Sequence, residues 1–432
     1  MPESVRENIC IRPAIGTWAA VYLADRLTGP ESLALDGQEL LHGCRSYIDD
    51  IPDSHAVVTD FRATRTGGTV VVSSSGYFPF GSPIQFKQQA THAANHVRVT
   101  LDIQWPAQAR VRHQLGIGSV FLPGQWQRLL CVPPALQVAQ GAIPVWTAIP
   151  PLGESTGALT LGHWHQPPLA LVFEHADGTH LEIGTGSDIW RWEHAFGHDP
   201  ESGSYRLILE QDGIRFLREP LTCESESTPE ARKYRLTWYA AWGRESDPPA
   251  SAPSDSVREL DFAPGGGLAP NCVSVNAPDT VSSSPPALLL DFGRRPAPAN
   301  WQRCGSPVAF AQGVRTGCSC WEDNGVQKHA RQAIRQLAAW PAPGRLVLRG
   351  LTPGICWDAG HVHKNKARGL PHWDMNGILE FSEWASHKLG PGWALRAEIP
   401  TPWSELPSLQ GLFAPSGFPS APAREEACPI LR

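Results

Sequence analysis

Through the first half of the chain, apolar and polar side chains alternate along short segments, the period of half-buried strands. Thr69-Val-Val-Val-Ser73 and His96-Val-Arg-Val-Thr-Leu-Asp-Ile-Gln-Trp105 show the pattern most clearly. Two hairpins follow around Asp-Gly turns. Leu169–Glu174 and His180–Ile183 flank Asp177-Gly178, and Tyr205–Glu210 and Ile214–Leu217 flank Asp212-Gly213. Arg232–Trp242 closes the series, and no long helical period interrupts residues 15–245. The pattern predicts a large antiparallel sheet structure.

The character changes at about residue 246. Residues 246–290 are rich in Pro, Gly and Ser, with one candidate strand at Val257–Phe262, and read as a crossover. Beyond it, Val326, Ala330, Ala333, Ile334 and Leu337 recur at spacings of three and four, which predicts one helix near 323–340, ended by Pro341. Leu346–Leu351, Gly377–Ser382 and Trp393–Ile399 read as strands returning to the sheets. The expected organisation is therefore 1–245 as sandwich sheets, 246–290 as crossover, and 291–432 as a helix plus strands that complete the sandwich.

Composition narrows the possible roles. A net charge of −6 with no basic block argues against nucleic acid and anionic membrane surfaces as partners. No apolar run is long enough for a membrane helix, and the first ten residues lack a secretory pattern, so a cytoplasmic protein is expected. The ten cysteines form no repeating framework and read as reduced, mostly buried thiols. The closest pair, Cys318 and Cys320, lacks the C-x-x-C spacing of a redox or zinc motif. Seventeen tryptophans against six tyrosines supply indole faces well beyond what tyrosine adds, and indoles are platforms on which sugar rings stack.

The densest chemistry lies in Pro353–Asp374. This stretch holds Trp357, Asp358, His361, His363, Lys364, Lys366, Arg368, His372, Trp373 and Asp374. Such groups are expensive to bury without partners, which suggests the lining of a cleft carried on a long loop between strands. A second cluster, Trp190-Arg191-Trp192-Glu193, sits in an aromatic hairpin where flanking indoles and Arg191 would push the Glu193 carboxyl in opposite directions. A structural ion pair of Arg191 is the plain alternative.

Two His-x-His pairs, His361/His363 and His163/His165, invite a metal reading, with His372 or Asp374 as a third ligand. No spacing fixes that third ligand, so the histidines are expected to hydrogen-bond substrate or backbone, and no metal or cofactor is expected. Nucleotide, serine-hydrolase and zincin motifs are absent from the sequence.

The many short strands, aromatic hairpins such as Gly186–Glu193 and the late return to the sheet resemble the galactose-mutarotase-like β-supersandwich, found in aldose epimerases and as domains of glycoside hydrolases and polysaccharide lyases. The resemblance is one of layout and covers residues 15–245 plus the late strands. It implies a mainly β sandwich that handles sugars.

The expected activity is cleavage of a glycosidic bond in an oligosaccharide or glycoside by paired acid and base residues. Glu193 and Asp374 are the expected pair, with His363 and His372 assisting. Trp190, Arg191, Trp192, Trp357, Asp358, His361, Lys364, Trp373 and His165 are expected to bind substrate. A lyase or epimerase acting on an acidic sugar, which Lys364, Lys366 and Arg368 would clamp, is the first alternative. A non-catalytic sugar-binding protein is the second. Oligomeric state is not legible.

Overall fold

The structure is a computed structural model. It describes residues 8–12, 18–27, 29–49, 51–66, 69–79, 83–93, 96–106, 115–134, 137, 142, 144–153, 157–185, 204–219, 232–244, 257–260, 262–263, 267–268, 287–292, 302, 318–339, 345–351, 354–356, 358, 361, 372–373, 375–390 and 393–398.

The chain divides into two compact units. The first comprises Met1–Pro134 and Ile143–Arg244, and the second Ala135–Ala142 and Glu245–Arg432. Unit one is built on two nine-stranded antiparallel sheets. One sheet runs Ile9–Ile11, Trp18–Tyr22, Ser32–Leu35, Gln38–Ile48, Leu115–Pro123, Gly213–Glu219, Ser204–Leu209 and Leu159–Trp164, with Ile51–Pro52 beside Gln38–Ile48. The other runs Val145–Ala148, Arg128–Val132, Ala170–Glu174, Thr179–Thr185, Arg232–Arg244, His96–Trp105, Ile84–Ala93, Thr69–Phe78 and Val57–Thr66. Strands and hairpins expected from alternation appear here, including both hairpins with Asp-Gly turns.

The sheets meet through their apolar faces. Trp18 of the first stacks on His92 of the second at 5.3 Å and meets Trp242 edge-on at the same distance. The Tyr22 hydroxyl lies 2.7 Å from His92 Nε2. Leu171, Phe173, Leu181, Ile183, Val97, Val99 and Leu101 are buried, as strand alternation on the core side requires. The result is a mainly β sandwich.

Unit two differs from expectation. Its four main strands, Val257–Leu260, Ala287–Asp291, Arg345–Arg349 and Ala394–Glu398, pair with one another in chain order, and every pairing is parallel. Among the described residues, none of them joins the nine-stranded sheets, so the strands expected to complete the sandwich form a sheet of their own. The expected helix is present as α1, Asn324–Ala338, capped by Asp323, whose side chain accepts from the Gly325 and Val326 amides.

A second helix, α2, occupies Met375–Leu389, where Gly377–Ser382 was expected to be a strand. Met375, Ile378, Leu379, Phe381, Ala385 and Leu389 are buried, so the apolar run belongs to a helix buried on a broad face. Gly377 belongs there because a Cβ at that position would run into the Trp321 carbonyl. With α2 in place, the order from Ala287–Asp291 onward is strand–helix–strand–helix–strand, the usual crossover arrangement for parallel pairing.

Candidate functional site

Few of the expected site residues are described. Glu193, Trp190, Arg191, Trp192, Trp357, His363, Lys364 and Asp374 lie outside the described residues, and so does the expected sharing of one cleft by 186–194 and 353–374. His372 and Trp373 form a two-residue strand paired with Ile355-Cys356. His165 is exposed just after the edge strand Leu159–Trp164, its ring 5.1 Å from that of His163.

Asp358 and His361, expected to bind substrate, lie inside the fold. Both are almost fully buried, at 4% and 3% exposure. His361 Nδ1 lies 3.2 Å from Cys356 Sγ, and Asp358 Oδ2 lies 3.5 Å from His361 Nε2. The side chains turn toward each other and toward a cysteine. Burial alone would lower the His361 pKa, but the Cys356 hydrogen bond and the charges of Cys356, Asp358 and Asp323 raise it above its ordinary value. Cys356, two residues before Asp358, was readable only as a small hydrophobe.

A second constellation, which the sequence reading missed, lies on the outer face of the second sheet. Register aligns its members across four adjacent strands: Arg128 faces Glu174, Glu174 faces His180, and Trp146 faces Leu130 one pair along. Arg128 Nε donates to Glu174 Oε1 at 3.0 Å, and its Nη2 donates to the other carboxylate oxygen, a bidentate fork. His180 Nε2 lies 3.1 Å from Glu174 Oε2. The Arg128 guanidinium sits 4.8 Å over the Trp146 ring.

Partial burial would raise the Glu174 carboxyl, yet hydrogen bonds from Arg128 and His180, and their charges, outweigh it and hold the group below the usual glutamate range. Glu174 is therefore ionised at neutral pH. One row further in, the wholly buried Glu182 accepts a 2.7 Å hydrogen bond from the Tyr239 hydroxyl. Gly184 makes room for that Tyr239 ring, since a Cβ there would overlap it. An indole, a forked cation, an imidazole and two carboxylates thus share one sheet face. In the sequence these polar residues alternate with no clear polar phase, because Leu130, Val172 and Ala241 share their face and are buried.

No family model matches the chain, and no curated protein matches it. Solved structures do show likenesses. One is a protein of Synechocystis sp. PCC 6803, 7% identical, spanning 56% of this chain and 97% of that one, with a TM-score of 0.36. A galactose mutarotase related enzyme from Lactobacillus acidophilus is also 7% identical and spans 56% of this chain and 99% of its own, with a TM-score of 0.30. The α-N-acetylgalactosaminidase NagBb from Bifidobacterium bifidum is 13% identical over 90% of this chain and 58% of its own, with a TM-score of 0.35. Proteins of the kind that the sequence layout resembles are thus among those to which this chain is similar.

Proposed function

We propose that this protein is a carbohydrate-active enzyme and, more finely, that it cleaves a glycosidic bond. The observation that carries the reading is the outer-face row of Trp146, Arg128, Glu174 and His180, with Glu182 behind it. An indole offers an apolar face to the C–H side of a sugar ring, and a forked guanidinium and a carboxylate suit vicinal hydroxyls. An ionised Glu174 supplies the base or nucleophile.

Hydrolysis needs a second carboxyl group on the other side of the scissile bond. Glu182 is a diagonal neighbour of Glu174 in the sheet, a relation that separates positions by about 7–8 Å. Glu193 and Asp374, put forward by the sequence, are the other candidates for this role. A second reading, sugar epimerisation, is favoured by the contact of His180 with Glu174, an acid/base pair able to take the anomeric hydroxyl proton and give one to the ring oxygen, so that the ring C–O bond breaks and re-forms on the other face.

The test is incubation of the full chain with a panel of oligosaccharides and glycosides. New reducing ends support hydrolysis. Faster interconversion of sugar isomers without new ends supports epimerisation, and an ultraviolet-absorbing unsaturated uronate marks a lyase. Binding without turnover makes the protein a sugar-binding module. Glu174→Gln should lower turnover at least about a hundredfold while leaving the fold intact. Full activity in that variant removes the outer-face row from the mechanism.

A further inference from the structure

Three side chains in unit two, all buried, converge without any part in the reading above. Cys320 and Cys356 are fully buried and His361 nearly so, and one donor atom from each lies within 4.8 Å of the others. We propose that Cys320, Cys356 and His361 supply three of the four ligands of a zinc ion.

The donor chemistry is the first argument. Two thiolates and an imidazole are ligands that zinc accepts at about 2.3 Å and 2.0–2.1 Å, which spaces neighbouring tetrahedral donors by roughly 3.5–3.8 Å. The Cys356 Sγ to His361 Nδ1 distance of 3.2 Å is close to that spacing, and all three donors lie within 4.8 Å of one another. Charge is the second argument. Two thiolates offset the charge of one divalent ion, so the ion and its three ligands are together neutral.

The third argument is the support around the ligands. Metal-bound histidines usually give their other ring N–H to a carboxylate, which fixes the ring and raises its basicity. His361 is set up for this: Nδ1 faces the thiol, and Nε2 lies 3.5 Å from Asp358 Oδ2, within ion-pair distance and longer than a hydrogen bond. The backbone holds the rest. The Asp323 amide donates to the Cys320 carbonyl at 3.0 Å, just ahead of α1. The Gln327 side chain donates to the carbonyls of Trp321 and Gly377 at 2.8 and 2.7 Å, tying the Cys320 segment to α2. Cys356 is held opposite His372 in its short strand pair, and the His361 amide reaches the Asp358 carbonyl at 3.3 Å.

The placement gives the ion a task. Cys356 and His361 lie on the segment that leaves the carboxyl end of Arg345–Arg349, and Cys320 lies at the entrance to α1. A zinc ion would staple that loop to the helix, which suits a small parallel sheet with few strands to share the load.

The test uses the full chain, made without a metal-affinity tag. It is dialysed against zinc and then assayed for metal by mass spectrometry, and it is titrated in parallel with cobalt. The expected result is about one zinc per chain, and on cobalt a thiolate charge-transfer band together with the strong visible absorption of a tetrahedral ion. Cys320→Ser and Cys356→Ser should each abolish stoichiometric zinc and weaken the charge-transfer band, whereas Cys10→Ser in unit one should change neither.

Asp358→Asn keeps all three ligands and should weaken zinc binding by about 10–100-fold, which keeps the proposal testable if the cysteine variants fail to fold. A wild-type chain that retains no zinc, or cobalt spectra unchanged by loss of either cysteine, would overturn the assignment. Sugar turnover does not enter this readout, so the two proposals stand or fall separately.

Discussion

Two arginines of unit one sit over indoles in nearly the same way and do different things. Arg218 lies between the sheets, 1% exposed, with its guanidinium 4.4 Å from the Trp238 ring. Arg128 lies on the outer face, 49% exposed, 4.8 Å from the Trp146 ring. Arg218 spends its donors on one backbone carbonyl: Nε reaches Gly118 O at 2.8 Å, and Nη2 reaches the same oxygen. Burial pulls its pKa down to about 10, against the upward pull of Cys44 and Tyr205. It still carries its charge at neutral pH. Arg128 forks onto a carboxylate that solvent can reach. A cation over a ring is thus a part of the core in one place and a surface ready for a ligand in the other, and accessibility of the partner decides which.

The sharpest way to break this comparison is to remove the buried member. Arg218→Ala should destabilise unit one by about 3–5 kcal/mol, because it leaves a cavity against Trp238 and the buried Gly118 carbonyl without its donors. Arg218→Lys should recover little, since an ammonium can neither fork onto the carbonyl nor lie flat on the ring. Urea unfolding measures both. A loss under about 1 kcal/mol, the level of an exposed ion pair, would place Arg218 with Arg128 rather than against it.

The interior also contains a neutral imidazole, and the next effect is one of pH. Burial, with a smaller push from His96, lowers the His92 pKa from 6.5 to about 3. The folded state therefore binds fewer protons than the unfolded state between those values, and stability must fall as pH falls through that window. Between pH 7 and pH 4.5 the loss from this group is about 2.5–3 kcal/mol at ~1.4 kcal/mol per unit. His92→Gln, which can still accept from Tyr22, should lose that much less over the same interval. Equal acid losses in the two proteins would show that His92 is not held neutral.

The sandwich was legible because its strands alternate, and alternation reports burial directly. His96–Trp105 has its expected bounds, and the later hairpins shift by only a residue or two. Unit two was misjudged in two places: the crossover at 246–290 carries two strands of the parallel sheet, and a later run is a helix. The run Gly377-Ile-Leu-Glu-Phe-Ser is short and apolar with one charge, and such a run fits a strand as well as a turn and a half of buried helix. Reading it as a strand hid the strand–helix alternation, and with it the parallel sheet.

The constellations described in the structure were not legible for a different reason. Arg128, Trp146, Glu174 and His180 come together only through strand register across three pairings, and register is not written in any one segment. Cys320 and Cys356 are far apart in sequence with no motif spacing, so only the fold brings them together.

The smallest expected effect sharpens the comparison from the outer face. Arg128→Ala removes a fork onto Glu174 and a contact with Trp146, yet half of its side chain already faces water. Screened, exposed pairs contribute little, so stability should change by less than about 1 kcal/mol. The change should register instead in ligand binding. With Arg128 gone, Glu174 keeps His180 but loses the cation that fixed its plane and lowered its pKa, and any sugar hydroxyl held by the guanidinium loses its partner. Calorimetric titration with the best sugar from the panel, alongside urea unfolding, separates the outcomes. Weaker binding at unchanged stability marks an outer-face arginine kept for a ligand. Unchanged binding with a loss of several kcal/mol would make Arg128 a second Arg218, and the outer row a brace between strands.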